Sequence, residues 1–200
     1  ALIPDDVTPL SIALPAATVD GNGLIRAVAP GNANIVVKTN TGKTATCAVT
    51  VKQPAKKITL LVNKPSAKKI YMAKGQSINV KTKLAPVNTT DKLTWKSNKA
   101  KVATVSSSGT ITAKKKGTAK ITVASDSGKK ATITVVVSKK QVKAKKVKIK
   151  GAKSMKRKKT IKLTVSLKSA KSTDTIAFSS NKPAVATVDA YGYVTAKKKG

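Results

Sequence analysis

The side chains that ordinarily carry enzymatic chemistry are nearly missing from this chain. Its 200 residues include no His and no Glu, and the seven acidic residues are Asp5, Asp6, Asp20, Asp91, Asp126, Asp174 and Asp189. Proton transfer near neutral pH usually draws on His or on a carboxylate with a displaced pKa. Zinc sites use clusters of His and Cys, and Cys47 is the one cysteine. A catalytic thiol needs a neighbouring base. Ser and Lys are so abundant that their pairing carries no information, and no GxSxG elbow or supported SxxK stands in a suitable context. The expectation is a chain that is not an enzyme, with no catalytic, cofactor or metal residues. DGNG at 20–23 has the alternating oxygens that open a calcium loop, but the glutamate expected further on is missing. A hairpin turn using Asn and Gly accounts for those residues better.

What the chain has in excess is positive charge. Lys and Arg number 41, and the formal net charge is +34 at pH 7. Only Arg26 and Arg157 are arginines. The densest cations are Lys114, Lys115 and Lys116, then Lys156, Arg157, Lys158 and Lys159, then Lys197, Lys198 and Lys199. One reading is solvated turns and edges, since Lys on an edge strand opposes edge-to-edge pairing. The other is contact with a polyanion, such as wall teichoic acid, an acidic glycan or nucleic acid. Nucleic-acid readers add Arg for bidentate contacts or aromatics for stacking. Both are scarce here, so no specific nucleic-acid recognition is expected.

These residues must be positioned by a repeat. Residues 17–51 align without a gap on 103–137, placing Gly23 on Gly109, Gly31 on Gly117 and Gly42 on Gly128. Residues 186–200 align on 103–117, placing Gly192 on Gly109. DKLTWKSNKAKVATV at 91–105 matches DTIAFSSNKPAVATV at 174–188, with Trp95 on Phe178. Ile78, Val80, Thr82 and Leu84 fall on Ile161, Leu163, Val165 and Leu167, and AKKI at Ala55 on AKKV at Ala144. The predicted organisation is a partial module at 1–53, a complete one at 54–140 and a third at 141–200 that lacks its last strands. Short basic linkers join them.

Residues 76–84, 118–125 and 130–137 alternate apolar and polar side chains, the pattern of strands with one buried face. Turns with Gly separate them at short intervals, which predicts an all-β sandwich. Val, Ile and Thr dominate, and their β-branching suits pleated strands. Trp95 and Phe178 are expected as the inter-sheet core anchors of their modules. Cys47 takes the place of Ile133 on an alternating strand and is expected as a small buried hydrophobe. A single cysteine gives no internal disulfide. No run reaches the roughly 18 apolar residues of a membrane span. ALIPDD at the start lacks the regions of a secretory signal. The signal of an exported protein is expected upstream or already removed.

TWKSNKAKVATVSSSGTITAKKKGTAKITV and FSSNKPAVATVDAYGYVTAKKKG resemble the bacterial immunoglobulin-like group 2 (Big_2) modules, as does GKTATCAVTV. The resemblance implies tandem Ig-like Greek-key sandwiches with truncated terminal modules. It also implies the setting in which this family occurs in tandem: bacterial surface proteins and adhesins, cell-wall enzymes and some phage structural proteins. Lysine-rich versions look typical of Gram-positive anaerobes. The expected role is a non-enzymatic extracellular spacer or adhesion segment that projects another domain. The alternative is a module that docks a carbohydrate or cell-wall polymer through its lysine-rich face. Expected partners are an anionic wall polymer or a host glycan or surface protein. Incomplete modules would also offer edges for self-association.

Overall fold

The computed structural model describes residues 15–151, 154–169 and 171–199, and every regular element among them is a strand. They form two compact units. One holds the described residues up to Pro54 with Asn88–Asp91; the other holds Ala55–Val87 and the described residues from Lys92 onward.

The first unit contains two hairpins. Strand β1 (Ala17–Val19) pairs antiparallel with β2 (Ile25–Ala27), and β3 (Gly31–Lys38) with β4 (Thr44–Val51). The DGNG segment is the β1–β2 turn. Asp20 Oδ1 accepts from the N–H groups of Asn22 at 3.0 Å and Leu24 at 2.9 Å. The expectation of a buried Cys47 is overturned: the thiol is exposed, opposite Ile35 in the β3–β4 ladder. Alternation decides which residues share a face, but burial needs a second layer. Among the described residues of this unit no sheet covers that face, and Val36 and Val37 are 56% and 64% exposed. Cys47 should therefore react with a maleimide in the native protein without added denaturant. Cys47→Ser should shift stability by no more than about 0.5 kcal/mol. A thiol protected until denaturant is added would contradict this placement.

In the second unit, the middle repeat forms a two-layer sandwich. One sheet has the order β6 (Lys69–Ala73), β13 (Lys130–Ser138), β12 (Gly117–Ser125) and β9 (Leu93–Ser97). A three-stranded sheet of β10 (Ala103–Val105), β11 (Thr110–Ala113) and β7 (Ser77–Asn79), and the pair β5 (Lys57–Leu61) with β8 (Lys81–Ala85), complete it. Strands β13 and β6 run parallel; the other ladders are antiparallel. Of the residues that alternation turns inward on β12 and β13, Ala119, Ile121, Val123, Ile133, Val135 and Val137 are buried and Ala131 is half-buried. With Ile70, Met72, Ile78, Val80 and Ile111 they form one aliphatic core.

Two expectations need correction. Residues 76–84 do not form one strand. The ladder breaks at Val80: β7 hydrogen-bonds to β11, whereas β8 bonds to β5 in another sheet. The alternation survives the break because Ile78 and Val80 still point into the shared core. Trp95 also does not sit at the centre. It is half-buried, packed against the rim of the core, with its ring on Gly109. A Cβ at Gly109 would lie 3.0 Å from Trp95 Cζ2 and would collide with the Val80 carbonyl oxygen. Small residues at the turn thus make the slot that the ring fills.

The last repeat follows the same plan in part. Strand β14 (Lys146–Lys150) pairs with β16 (Thr164–Lys168), and β15 (Thr160–Lys162), β18 (Tyr193–Ala196) and β17 (Ala186–Val188) form a sheet in that order. The break recurs at Leu163, whose N–H donates to the Gly192 carbonyl at 2.8 Å. Phe178 is half-buried against Gly192, where an added Cβ would lie 2.7 Å from its Cζ. Val147 and Ile149 occupy the positions of buried Ile58 and Leu60 but are 61% and 59% exposed. No counterpart of β12 and β13 stands over them among the described residues.

Candidate functional site

Two loops meet at one corner of the middle repeat and again at the same corner of the last. In the middle repeat Gly75 N–H donates to Ala113 O at 2.8 Å, Gln76 N–H to Ala73 O at 3.0 Å, and Ala113 N–H to Gln76 O at 2.9 Å. In the last repeat Lys158 N–H donates to Ala196 O at 2.9 Å, Lys159 N–H to Lys156 O at 3.1 Å, and Ala196 N–H to Lys159 O at 3.1 Å. One backbone scaffold thus carries two sets of side chains. The middle repeat presents Lys74 beside Lys114, Lys115 and Lys116. The last repeat presents Lys156, Arg157, Lys158 and Lys159 beside Lys197, Lys198 and Lys199. All of these cations are exposed.

The two separate basic runs of the last repeat therefore become one cluster. Arg157, Lys198 and Lys199 line a single open cleft of about 430 Å³, with Ser154, Met155 and Ala196 among its walls. Lys114, Lys115 and Lys116 form the corresponding corner in the middle repeat with Lys74, a residue that sequence reasoning passed over. The usable signal was the alignment, which puts Lys74 on Arg157. The first repeat has Val28, Ala29 and Pro30 where the middle one has Lys114, Lys115 and Lys116.

Several of the described carboxylates are engaged by backbone N–H groups. Asp20 and Asp189 each accept two turn N–H groups; those on Asp189 come from Tyr191 at 2.8 Å and Tyr193 at 2.9 Å. Asp126 accepts from Lys92 N–H at 3.2 Å, and Asp174 from Ala144 N–H at 2.7 Å. The tyrosine rings are covered as well. The ammonium groups of Lys69, Lys81 and Lys162 lie 5.6, 5.7 and 4.5 Å from the ring centres of Tyr71, Tyr191 and Tyr193.

A second polar cluster joins the middle and last repeats, both within the second unit. Lys64 is 7% exposed, and its Nζ donates to the carbonyls of Thr173 at 2.5 Å and Asp174 at 2.9 Å. Gln76 Nε2 donates to the same Thr173 carbonyl at 3.0 Å, and Ile176 N–H donates to Asn63 O at 3.0 Å. The linker is held in the same place. Val142 N–H donates to Thr173 Oγ1 at 2.9 Å, and Thr173 N–H returns a bond to Val142 O at 2.8 Å. Burial pushes the Lys64 pKa down from 10.5 to about 8, against the pull of the Asp174 carboxylate. The Ala144 N–H holds the Asp174 carboxyl below its ordinary value, with help from Gln141 and Ser172. A cavity of about 120 Å³ lies at this join, lined by Asn63, Lys64, Lys162, Phe178 and Tyr191 among others. Sequence reasoning missed this cluster. A buried lysine cannot be told from an exposed one in a chain so rich in lysine, and only the recurrence of Thr-Asp at 90–91 and 173–174 marked the place.

The arrangement can attract anions at the corners and fix two repeats to each other at the join. Among the described residues no group of three or more Cys, His, Asp or Glu is placed to hold a metal ion.

The family description "Bacterial Ig-like domain (group 2)" matches residues 63–136 and again 136–200. A stretch of 70 residues is 37% identical to the lacto-N-biosidase of Bifidobacterium bifidum, covering 35% of this chain and 6% of that protein. Among solved structures, the S-layer protein SbsC is similar at 27% identity over 68% of this chain and 20% of its own, with a TM-score of 0.36. Intimin of EHEC O157:H7 is similar at 16% identity over 48% of this chain and 50% of its own, with a TM-score of 0.30. The chain therefore spans a small part of the length of the biosidase and of the S-layer protein.

Proposed function

Since the chain belongs to the bacterial Ig-like domain (group 2) family, we propose that it is a non-enzymatic spacer or adhesion segment of a bacterial surface protein. It acts outside the cell, on a Gram-positive envelope, and holds another domain away from the surface. The observation that carries this reading is the join between the middle and last repeats. A spacer must transmit orientation, and a free linker between sandwiches would lose it. Here Lys64, Gln76, Asn63 and Val142 converge on residues 173–176, and Thr173 is 1% exposed. A buried polar group costs free energy unless it is hydrogen-bonded, so the paired groups of this cluster favour one geometry over many; Asn63 Oδ1 beside them is buried without a partner among the described residues.

The test is replacement within a surface protein that carries this segment. Residues 55–199 are exchanged for unrelated Ig-like modules of equal number, and in a second variant for a flexible Gly/Ser linker of equal residue count. The rigid exchange should retain display and reach of the neighbouring domain, while the flexible one should reduce reach. Loss of function in both would show that these residues do more than hold a distance.

The alternative, a module that docks carbohydrate or wall polymer, draws on the exposed cationic corners. The similarity to part of a lacto-N-biosidase fits such a module lying beside a glycan-acting domain encoded elsewhere.

A further inference from the structure

We infer that the cationic corner of the last repeat, and in weaker form that of the middle repeat, is a binding site for a linear polyanion that lacks aromatic bases, with a phosphodiester chain as the case tested. The inference rests on the polymer-docking alternative above and names its ligand; it does not depend on the chain serving as a spacer.

Three observations converge on it. The first is the comparison of the two corners, which have the same backbone hydrogen bonds. Where the middle repeat has Ala73, Lys74, Gly75 and Gln76, the last has Lys156, Arg157, Lys158 and Lys159. Gly75 has φ 82°, a left-handed conformation that glycine adopts freely; Lys158 holds φ 63° at the same place. A side chain in that region is strained. The scaffold therefore carries a cation at a position where glycine would be more stable, beside six other cations. Repulsion among the seven cations is a second cost, and a bound polyanion would relieve that one.

The second observation is access. The corner of the middle repeat lies beside the join, since Gln76 reaches Thr173 of the following repeat. Lys74, Lys114, Lys115 and Lys116 nonetheless remain exposed with that repeat in place. A neighbouring repeat thus does not close the corner, and an array presents one such corner per repeat that carries it.

The third observation selects the ligand. Lysine ammonium groups bind phosphate as compact point charges, without the bidentate geometry that reads bases. Single-stranded nucleic acid is gripped chiefly by stacking on aromatic rings. Among the described residues, the rings of Tyr71, Tyr191 and Tyr193 each carry a lysine ammonium, so none of the three offers a bare face for a base. Charge density is what remains to be recognised.

The probe is synthetic polyglycerol phosphate of about 20 repeats, titrated into the whole chain from 50 to 200 mM salt. Affinity should fall on the order of fifty- to a hundred-and-fiftyfold over that range, as expected for about four released counterions. Neutralising the corner with Arg157→Gln, Lys198→Gln and Lys199→Gln should weaken binding at 50 mM salt at least about tenfold and flatten the salt slope. A control with Lys38→Gln, Lys43→Gln and Lys52→Gln makes the same change in net charge within the first unit. It should weaken binding less than about twofold. Lys158→Gly should raise Tm and lower affinity together, the signature of strain held for binding. Equal losses in corner and control variants would overturn the site in favour of diffuse attraction. Tighter binding of oligothymidylate than of polyglycerol phosphate at equal charge would overturn the ligand class.

Discussion

Gly109→Ala is expected to destabilise the middle repeat by roughly 2–4 kcal/mol, whereas Gly128→Ala should cost about 1 kcal/mol. Both glycines have left-handed backbones, with φ of 83° and 84°. The conformational penalty of an L side chain is therefore shared. What differs is the surroundings. A Cβ at Gly128 meets nothing within 4 Å, while at Gly109 it collides with the Val80 carbonyl and comes within 3.0 Å of the Trp95 ring. The ring could shift, but the carbonyl cannot. It belongs to the residue where the chain passes between sheets, and Val80 N–H is itself held by Gly109 O at 3.0 Å. Trp95→Leu should consequently fail to rescue Gly109→Ala. Domains of this size have only several kcal/mol of stability in total, so the variant should sit near its unfolding midpoint in mild urea. Equal urea midpoints for the two variants would show that the slot beneath the ring is not a structural requirement.

The second large effect is a dependence on pH at the join between repeats. Lys64 keeps an ordinary pKa of 10.5 when the chain is unfolded and has one of about 8 when folded. Below pH 8 both states are protonated, and the fold carries the full penalty of a buried ammonium. Between pH 8 and 10.5 the unfolded state holds more protons, so stability rises with pH there. The penalty relieved is at most about 3 kcal/mol, from 1.36 kcal/mol per pKa unit. The neutral amine still has two N–H donors for its two acceptors, the carbonyls of Thr173 and Asp174. The join therefore survives deprotonation. Other lysines titrate in the same range, so the measurement is the difference in unfolding free energy between the native chain and Lys64→Met. That difference should grow in favour of the native chain from pH 8 to 10. A flat difference would place Lys64 in solvent.

Much of the fold could be read from spacing alone. Turn glycines at 23, 109 and 192, and acceptors at Asp20, Ser106 and Asp189 three residues before them, recur at matching positions. In each turn the glycine N–H donates to the carbonyl of that acceptor residue at 3.0 Å. Period-two alternation placed Ile121, Val123, Ile133 and Val135 in the core because a pleated strand alternates its faces by geometry. The cationic residues were also visible, but as three runs. Their assembly into two corners depended on loops about 40 residues apart in sequence being bridged by backbone hydrogen bonds, for which linear spacing has no signature.

The sequence by itself determined the class of local structure, the repeat, the turn chemistry and the excess of positive charge. These follow from side-chain type and neighbour spacing. Only the tertiary structure decided what each pattern meets across space. DKLTWKS supplies strand β9 because β12 offers it a ladder, while the matching DTIAFSS has no regular strand among the described residues. Ile58 and Leu60 are enclosed in the core of the middle repeat, and one alternating run, 76–84, is split between two sheets. Lys64 is buried among a multitude of exposed lysines. A strand and a buried side chain are both properties of a pair of surfaces, and a sequence specifies only one member of each pair at a time.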